Sequence, residues 1–324
     1  MGNLVFEGFP ARPKIIFMGT PDFAVPTLKA LLDHEAHVTA VVTQPDKPQG
    51  RGKKVVPSPV KRLGLERKIR VLQPEKVSSP SFCEQIQAMN PDLIILVAFG
   101  QILKKRFLDI PRWGAVNIHA SLLPKLRGAA PIQRAIMNNE TRTGLTVMRM
   151  DEGMDSGPIL FQEEVLVMED ETAGQLHDRL SVMAGDLMVR SLRTLAAGPV
   201  YERPQDSAEA TYAPKIERET GLVSWSDPAE KVSALVRALD PKPGAYTLWK
   251  GQKMKLFSST VMDKTLDRVV PGRVRGLKDG SLVVESGQGL VGIREMQAPG
   301  RKRLPVPEFL RGLPIPEGSV LGGA

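Results

Sequence analysis

Cysteine, histidine and aromatic residues are all scarce in this chain of 324 residues. Cys83 is the single cysteine, so no disulfide can form within the chain, which fits a reducing compartment. It lies in Ser81-Phe82-Cys83-Glu84-Gln85-Ile86, a stretch that reads as helix, where a buried inert thiol is expected rather than a nucleophile. The four histidines fall in no H-x-x-x-H pattern and no C-x-x-C exists, so no metal site is expected. No apolar run approaches the roughly 18–20 residues of a bilayer-spanning helix, so no membrane partner is expected. The turn Met18-Gly19-Thr20-Pro21-Asp22-Phe23 lacks G-x-G-x-x-G, which argues against a dinucleotide site and against NAD. The start, Met1 to Pro10, carries an acid and no basic n-region, unlike a signal or transit peptide. No internal repeat or low-complexity tract is evident.

What is present is an ordinary globular composition, 42% hydrophobic and 25% charged, with length enough for two domains. The net charge of +8 is uneven. Residues 43–70 carry +7 and residues 214–324 carry +6, while the rest is mildly acidic. Solubility alone would account for such charge. Two basic regions on an otherwise acidic body also suit binding of a polyanion at those places.

Hydrophobic patterning gives the architecture. Lys14–Gly19 reads as a buried strand, a helix follows around Ala24–Asp33 with Pro26 tolerated in its first turn, and Val38–Thr43 is a second strand. Leu93–Phe99 is a nearly continuous apolar run between Pro91 and Gly100, the pattern of a central parallel strand covered on both faces. Strands alternating with helices predict an α/β fold, a Rossmann-like, doubly wound, mostly parallel sheet, with ligands at the carboxyl ends of its strands. Thr172 is expected to cap a long helix to about Ala197. Residues 14–200 are thus assigned to one domain, 201–213 to a linker rich in turn-forming residues, and 214–324 to a second domain. There, Asp227-Pro228 opens a helix to Leu239, followed by short Gly-punctuated strands at Met254–Ser258, Gly272–Arg275, Ser281–Glu285 and Leu290–Met296. They predict a small β-barrel.

The chemistry concentrates in Gly114-Ala115-Val116-Asn117-Ile118-His119, another predicted strand. Alternate residues of a strand share a face, so the Asn117 amide and the His119 ring lie side by side. An amide donor beside an imidazole, with a carboxylate to hold the ring, suits an oxyanion formed in acyl transfer. A substrate that brings its own amine needs no Ser or Cys nucleophile. An isolated N-x-H is also common at strand ends as a satisfied turn, and the longer context decides between the two.

That context is Ser121-Leu122-Leu123-Pro124, then Arg127-Gly128-Ala129-Ala130-Pro131, then Met150-Asp151-Glu152-Gly153-Met154-Asp155. Together these resemble the signature of the 10-formyltetrahydrofolate-dependent formyltransferases, and the resemblance covers about residues 14–320. It implies Asn117, His119 and Asp155 as the catalytic set, with Asp155 orienting His119; Asp151 is a weaker candidate. It implies a folate pocket lined by Ser121, Leu122, Leu123 and Pro124, and by Val97, Ala98, Phe99 and Gly100 after the central strand. Met148, Met150 and Met154 are read as core packing. The basic segment Thr43 to Lys54 resembles the insertion of the tRNA-acting branch, with Arg51 at the tRNA-contacting position and Lys53 and Lys54 beside it. Pro and Gly in that segment predict an irregular loop. The Tyr212–Ile216 and Pro243–Thr247 segments and Trp225 resemble the same branch, whose second domain is an OB-like β-barrel, a fold often used on nucleic acids. Lys242 departs from a common aromatic and Ser156 from a frequent Thr.

The resemblance implies a monomeric enzyme of the bacterial cytosol. It would move a formyl group from 10-formyltetrahydrofolate, as co-substrate, to the amino group of initiator methionyl-tRNA. Two alternatives stand beside it. A sugar-amine formyltransferase or hydrolase-type relative would share the catalytic residues without the basic loop. A catalytically idle RNA-binding protein would keep the charge without needing Asn117, His119 and Asp155 together.

Overall fold

The computed structural model describes residues 3–49 and 54–322. They divide into two compact units, one of residues 1–128, 144–165 and 177–212, the other of 129–143, 166–176 and 213–324.

The first unit is built on a seven-stranded sheet. Its strands are β1 (Ile15–Gly19), β2 (Val38–Val42), β3 (Arg70–Leu72), β4 (Leu93–Val97), β5 (Ala115–His119), β6 (Arg142–Arg149) and β7 (Ile159–Leu166), in the order β7-β6-β5-β4-β1-β2-β3. From β3 to β5 all neighbours are parallel, and β6 runs antiparallel to β5. The apolar runs explain the centre: every residue of β1 and β4 is buried, as parallel strands covered on both faces require. One face packs Ile16, Met18, Ile94 and Leu96 against Phe82, Cys83 and Ile86 of the helix Pro80–Ala88, so Cys83 is a buried packing residue.

The long helix runs Ala173–Ala197. Gln175 N donates to the Thr172 hydroxyl at 3.3 Å while the Gln175 side chain accepts from Thr172 N at 2.9 Å, a reciprocal capping box. Residues 201–213 do not hang free. Ile159 bridges Arg203, and Arg127 bridges Tyr212. Val200 and Tyr201 pair with Val5 and Leu4, and Phe6 and Phe9 are buried, Phe9 edge-on to Trp113.

The basic segment departs from the irregular loop its Pro and Gly residues suggest. Lys47–Gln49 and Lys54–Val56 pair as an antiparallel ribbon, Pro48 opposite Val55. A two-stranded ribbon leaves half its N–H groups unpaired, so one proline is tolerated.

In the second unit the helix Ala229–Ala238 begins after Pro228 as N-cap, one residue later than expected. Its six-stranded sheet comprises β8 (Ala245–Trp249), β9 (Gln252–Asp263), β10 (Val274–Lys278), β11 (Ser281–Glu285) and β12 (Leu290–Gln297), in the antiparallel order β8-β9-β12-β11-β10, with short β13 (Leu304–Pro305) paired to the end of β12. Among the described residues no pairing joins the outer strands, so the sheet is not a closed barrel. Other chain occupies both edges: Leu222 bridges Tyr246 on β8, and Val274 on β10 hydrogen-bonds Ser319 and Gly318. The core holds Val232, Val236, Leu256, Leu282, Val284 and Ile293.

Candidate active site

Strand β5 presents Asn117 and His119 on one face near its carboxyl end, opposite Met148 and Thr146 of β6. Val116 and Ile118 are buried on the other side, so the alternation is the cause of the pairing. Asn117 is half-buried. Among the described residues its side-chain amide has no hydrogen-bond partner, leaving its N–H free for a ligand.

His119 is buried. Its Nε2 lies 2.9 Å from the Leu126 carbonyl and its Nδ1 lies 3.5 Å from Asp155 Oδ2. A carbonyl oxygen only accepts, so Nε2 carries a proton in this contact. The other nitrogen faces a carboxylate, also an acceptor when ionised. Asp155 is itself fixed, because its Oδ2 accepts from Gly128 N at 2.8 Å. The structure therefore brings Asp155 to His119, although 36 residues separate them in sequence.

Asp151 has another task. It accepts from Gly153 N and from the Ser156 hydroxyl, all at 3.0 Å, which closes the turn that delivers Asp155. Gly157 follows because nothing larger fits: a Cβ there would stand 1.9 Å from the Arg149 carbonyl oxygen. Three non-glycine residues around the site hold left-handed backbone, Ala98 (φ 48°), Leu126 (φ 59°) and Asp155 (φ 51°). Such conformations persist where the surroundings over-determine them, often at functional sites.

The two predicted folate-lining segments lie at adjacent strand ends. After β4, Val97 and Phe99 are buried while Ala98 and Gly100 are exposed. Thr20 and Gln44 fix this turn: the Thr20 hydroxyl donates to the Phe99 carbonyl at 3.1 Å, and Gln44 Nε2 donates to the Phe99 and Gly100 carbonyls at 3.1 and 3.0 Å. In the Ser121–Pro124 loop, Ser121 and Leu123 are buried and Leu122 and Pro124 half-buried. Thr146 donates to the Ser121 carbonyl and accepts from Leu123 N, while Gln162 donates to the Leu123 carbonyl. Most backbone polar groups of that loop are thus engaged within the protein, leaving its apolar side chains as the larger part of what it can offer a ligand.

Several supporting residues, Gln44, Thr146, Gln162, Gln205 and Thr211, were not singled out from sequence. Gln205 donates to the Asp155 and Gly157 carbonyls at 2.8 and 2.7 Å and accepts from Arg127 Nε and Nη2 at 3.0 and 2.8 Å. Single polar residues in loops carry no period to betray them.

Of the loop cations, Arg51 and Lys53 lie outside the described residues, and Lys54 is described in its backbone alone. Their near neighbours are engaged. Lys47 donates to Gln44 Oε1 at 2.9 Å, and Lys61 and Gln73 hydrogen-bond Asp46, holding its carboxyl below the usual carboxylate range. Among the described residues no group of His, Cys, Asp and Glu is arranged to hold a metal ion. No helix of the described residues is long and apolar enough to cross a membrane.

Comparison with known proteins gives the family. Residues 13–192 match the formyl transferase family, and residues 215–314 match the formyl transferase C-terminal domain. The chain is 45% identical over 312 residues to the methionyl-tRNA formyltransferase of Syntrophus aciditrophicus, covering 96% of this chain and 100% of that protein. It is 47% identical over 310 residues to that of Pelobacter propionicus, covering 96% of each. Among solved structures, a sugar 3N-formyl transferase, WlaRD, superposes with a TM-score of 0.67 at 18% identity over 90% of this chain and 99% of its own. HypX from Aquifex aeolicus, in complex with tetrahydrofolic acid, superposes with a TM-score of 0.62 at 20% identity over 97% of this chain and 51% of its own. These structural likenesses show a shared fold. The two family matches and these relatives place it: the chain belongs to the formyl transferase family and is a formyltransferase enzyme, similar over nearly its whole length to methionyl-tRNA formyltransferases.

Proposed function

We propose that this enzyme transfers the formyl group of 10-formyltetrahydrofolate to the α-amino group of methionine on initiator tRNA, in the bacterial cytosol and as a monomer. The observation that carries the chemistry is the Asn117 amide, unpartnered among the described residues, beside buried His119 and half-buried Asp155. The amine attacks the formyl carbon, the bond from that carbon to folate N10 breaks, and the proton lost by the amine ends on N10. Negative charge gathers on the formyl oxygen meanwhile. Asn117 donates to that oxygen, and His119, held by Asp155, supplies positive charge beside it. For His119 to donate directly, Nε2 must exchange the Leu126 carbonyl for the oxyanion, and Asp155 keeps the ring in place while it does. The two loops Val97–Gly100 and Ser121–Pro124 cover the pterin, chiefly with apolar surface.

The acceptor assignment is supported by the named relatives and by the basic segment around Arg51, Lys53 and Lys54. Residues 14–200 carry catalysis, residues 201–213 connect, and residues 214–324 with their +6 charge engage tRNA. An assay of labelled formyl transfer to methionyl-tRNA, with a nucleotide-linked amino sugar as competing acceptor, tests this. Label is expected on the tRNA and unaffected by the sugar. Label on the sugar alone overturns the acceptor, and label on neither overturns the reaction.

A further inference from the structure

We propose that Gln205 is a positioning residue for the His119–Asp155 pair, acting as a bridge between the two loops that hold it. This rests on the formyl-transfer reading above.

Two loops determine where His119 and Asp155 stand. The first, residues 126–128, gives the Leu126 carbonyl to His119 Nε2 and the Gly128 N–H to Asp155 Oδ2. The second, residues 151–157, carries Asp155 itself. Neither loop is a strand or helix, and each contains a non-glycine residue in left-handed backbone, Leu126 and Asp155. Backbone of that kind relaxes unless something holds it.

Gln205 holds both. Its amide nitrogen donates to the carbonyls of Asp155 and Gly157, on either side of Ser156. Its amide oxygen accepts two hydrogen bonds from the buried guanidinium of Arg127, which sits between Leu126 and Gly128. One amide thus uses both hydrogens of its NH2 on the second loop and both lone pairs of its oxygen on the first. Thr211, six residues on, adds a second fastening to the first loop alone, accepting from Leu126 N and Arg127 N. Gln205 differs in spanning the pair. Both Asp155 contacts that matter for the ring, to Gly128 N and to His119 Nδ1, depend on the spacing it sets. Its remaining contact is to Met148 Sδ at 3.9 Å, and Asn117, the donor assigned to the oxyanion, is not among its partners.

A positioning role makes a specific kinetic prediction. Loss of the bridge misplaces His119 relative to the reacting carbonyl while leaving the folate and tRNA surfaces in place. Displacements of about 1 Å from a distant change can lower rate on the order of 100-fold. Gln205→Met keeps the length and nearly the volume of the side chain but removes its polar atoms. Its kcat is expected to fall about 10- to 100-fold, with KM for 10-formyltetrahydrofolate and for methionyl-tRNA within about twofold of wild type. Gln205→Glu keeps an acceptor for Arg127 but cannot donate to the Asp155 and Gly157 carbonyls, and it is expected to lose kcat in the same way. It carries the test if the Met variant does not fold.

A readout independent of activity separates this proposal from the functional reading. The enzyme has four histidines, so the ring signals of His119 can be resolved by NMR and assigned with His119→Gln. In Gln205→Met the His119 signal is expected to move, while those of His34, His37 and His177 stay. An unmoved His119 signal, or kcat within twofold of wild type, overturns the role of Gln205 whatever the acceptor. A wild type that formylates no tRNA overturns the function but leaves the NMR test standing.

Discussion

At the scale of the residue, the site separates into groups that face the substrate and groups that hold them. On the proposed reading Asn117 belongs to the first kind, with a half-buried amide that has no hydrogen-bond partner among the described residues. Replacing it with Ala removes a donor to the oxyanion and leaves no buried polar atom unpaired. We expect Asn117→Ala to lower kcat about 100- to 1000-fold with the melting temperature nearly unchanged, measured by initial rates and thermal scans. A variant within a few-fold of wild type would remove Asn117 from catalysis. Asn117 and His119 are legible in the sequence because a strand's period of two places them together without any knowledge of the fold. Asp155 is different. Its pairing with His119 is created by the Asp151–Ser156 turn and the Gly128 contact, and only family resemblance pointed to it. Gln205 and Thr146 are further still from legibility, since each acts through one or two hydrogen bonds to backbone far along the chain.

At the scale of the element, apolar runs and turn residues predicted what they physically cause. β1 and β4 are buried on both faces and read directly as such, and Thr172 with Gln175 marks the start of the long helix. The ribbon at Lys47–Val56 and the occupied edges of the second sheet were not legible, because pairing partners are a property of the folded chain. The β10–β11 pair hides another such feature. Glu285 is wholly buried and receives Arg273 and Arg275 from β10 and the strand entry, together with the Val270 N–H. Burial alone would raise its carboxyl, but the hydrogen bonds from Arg273, Val270 and Arg275 outweigh burial and hold it below the ordinary glutamate value. As pH falls, the unfolded chain therefore takes up this proton before the folded one does. The stabilisation is complete above the unfolded value near about 4.3 and is lost as pH drops through the lower folded value. In urea unfolding, Glu285→Gln is expected to cost about 1.5–3 kcal/mol at pH 7, the range for a hydrogen bond to a charged group. The difference from wild type should shrink steadily below about pH 4. A difference that stays constant with pH would show that Glu285 acts through packing rather than charge.

At the scale of the whole molecule, the proposed acceptor rests on charge rather than on fold. On the proposed reading Asn117, His119 and Asp155 act on the formyl group whatever the acceptor, and the fold is shared with a sugar formyltransferase at 18% identity. Neither therefore selects the acceptor. On the proposed reading the +7 of residues 43–70 is the sequence feature that does, and several of those charges are engaged within the protein. Lys61 is paired with Asp46, Lys47 is hydrogen-bonded to Gln44, and Arg67 is paired with Asp33. In sequence, Arg51 and Lys53 lie between the two strands of the ribbon, and Lys54 is the first residue of the second. A phosphate backbone bound there releases counterions in proportion to the charges it meets, about 0.7 per phosphate for single-stranded nucleic acid. Replacing Arg51, Lys53 and Lys54 together with Gln should then weaken methionyl-tRNA binding most at low salt. The slope of log K against log salt should become shallower by about 2. Equilibrium binding across a salt series measures both, and kcat at saturating tRNA should fall far less than affinity, since none of the three is assigned to the formyl group. An unchanged slope would place the tRNA-binding charge elsewhere, with the +6 of residues 214–324 the next region to neutralise.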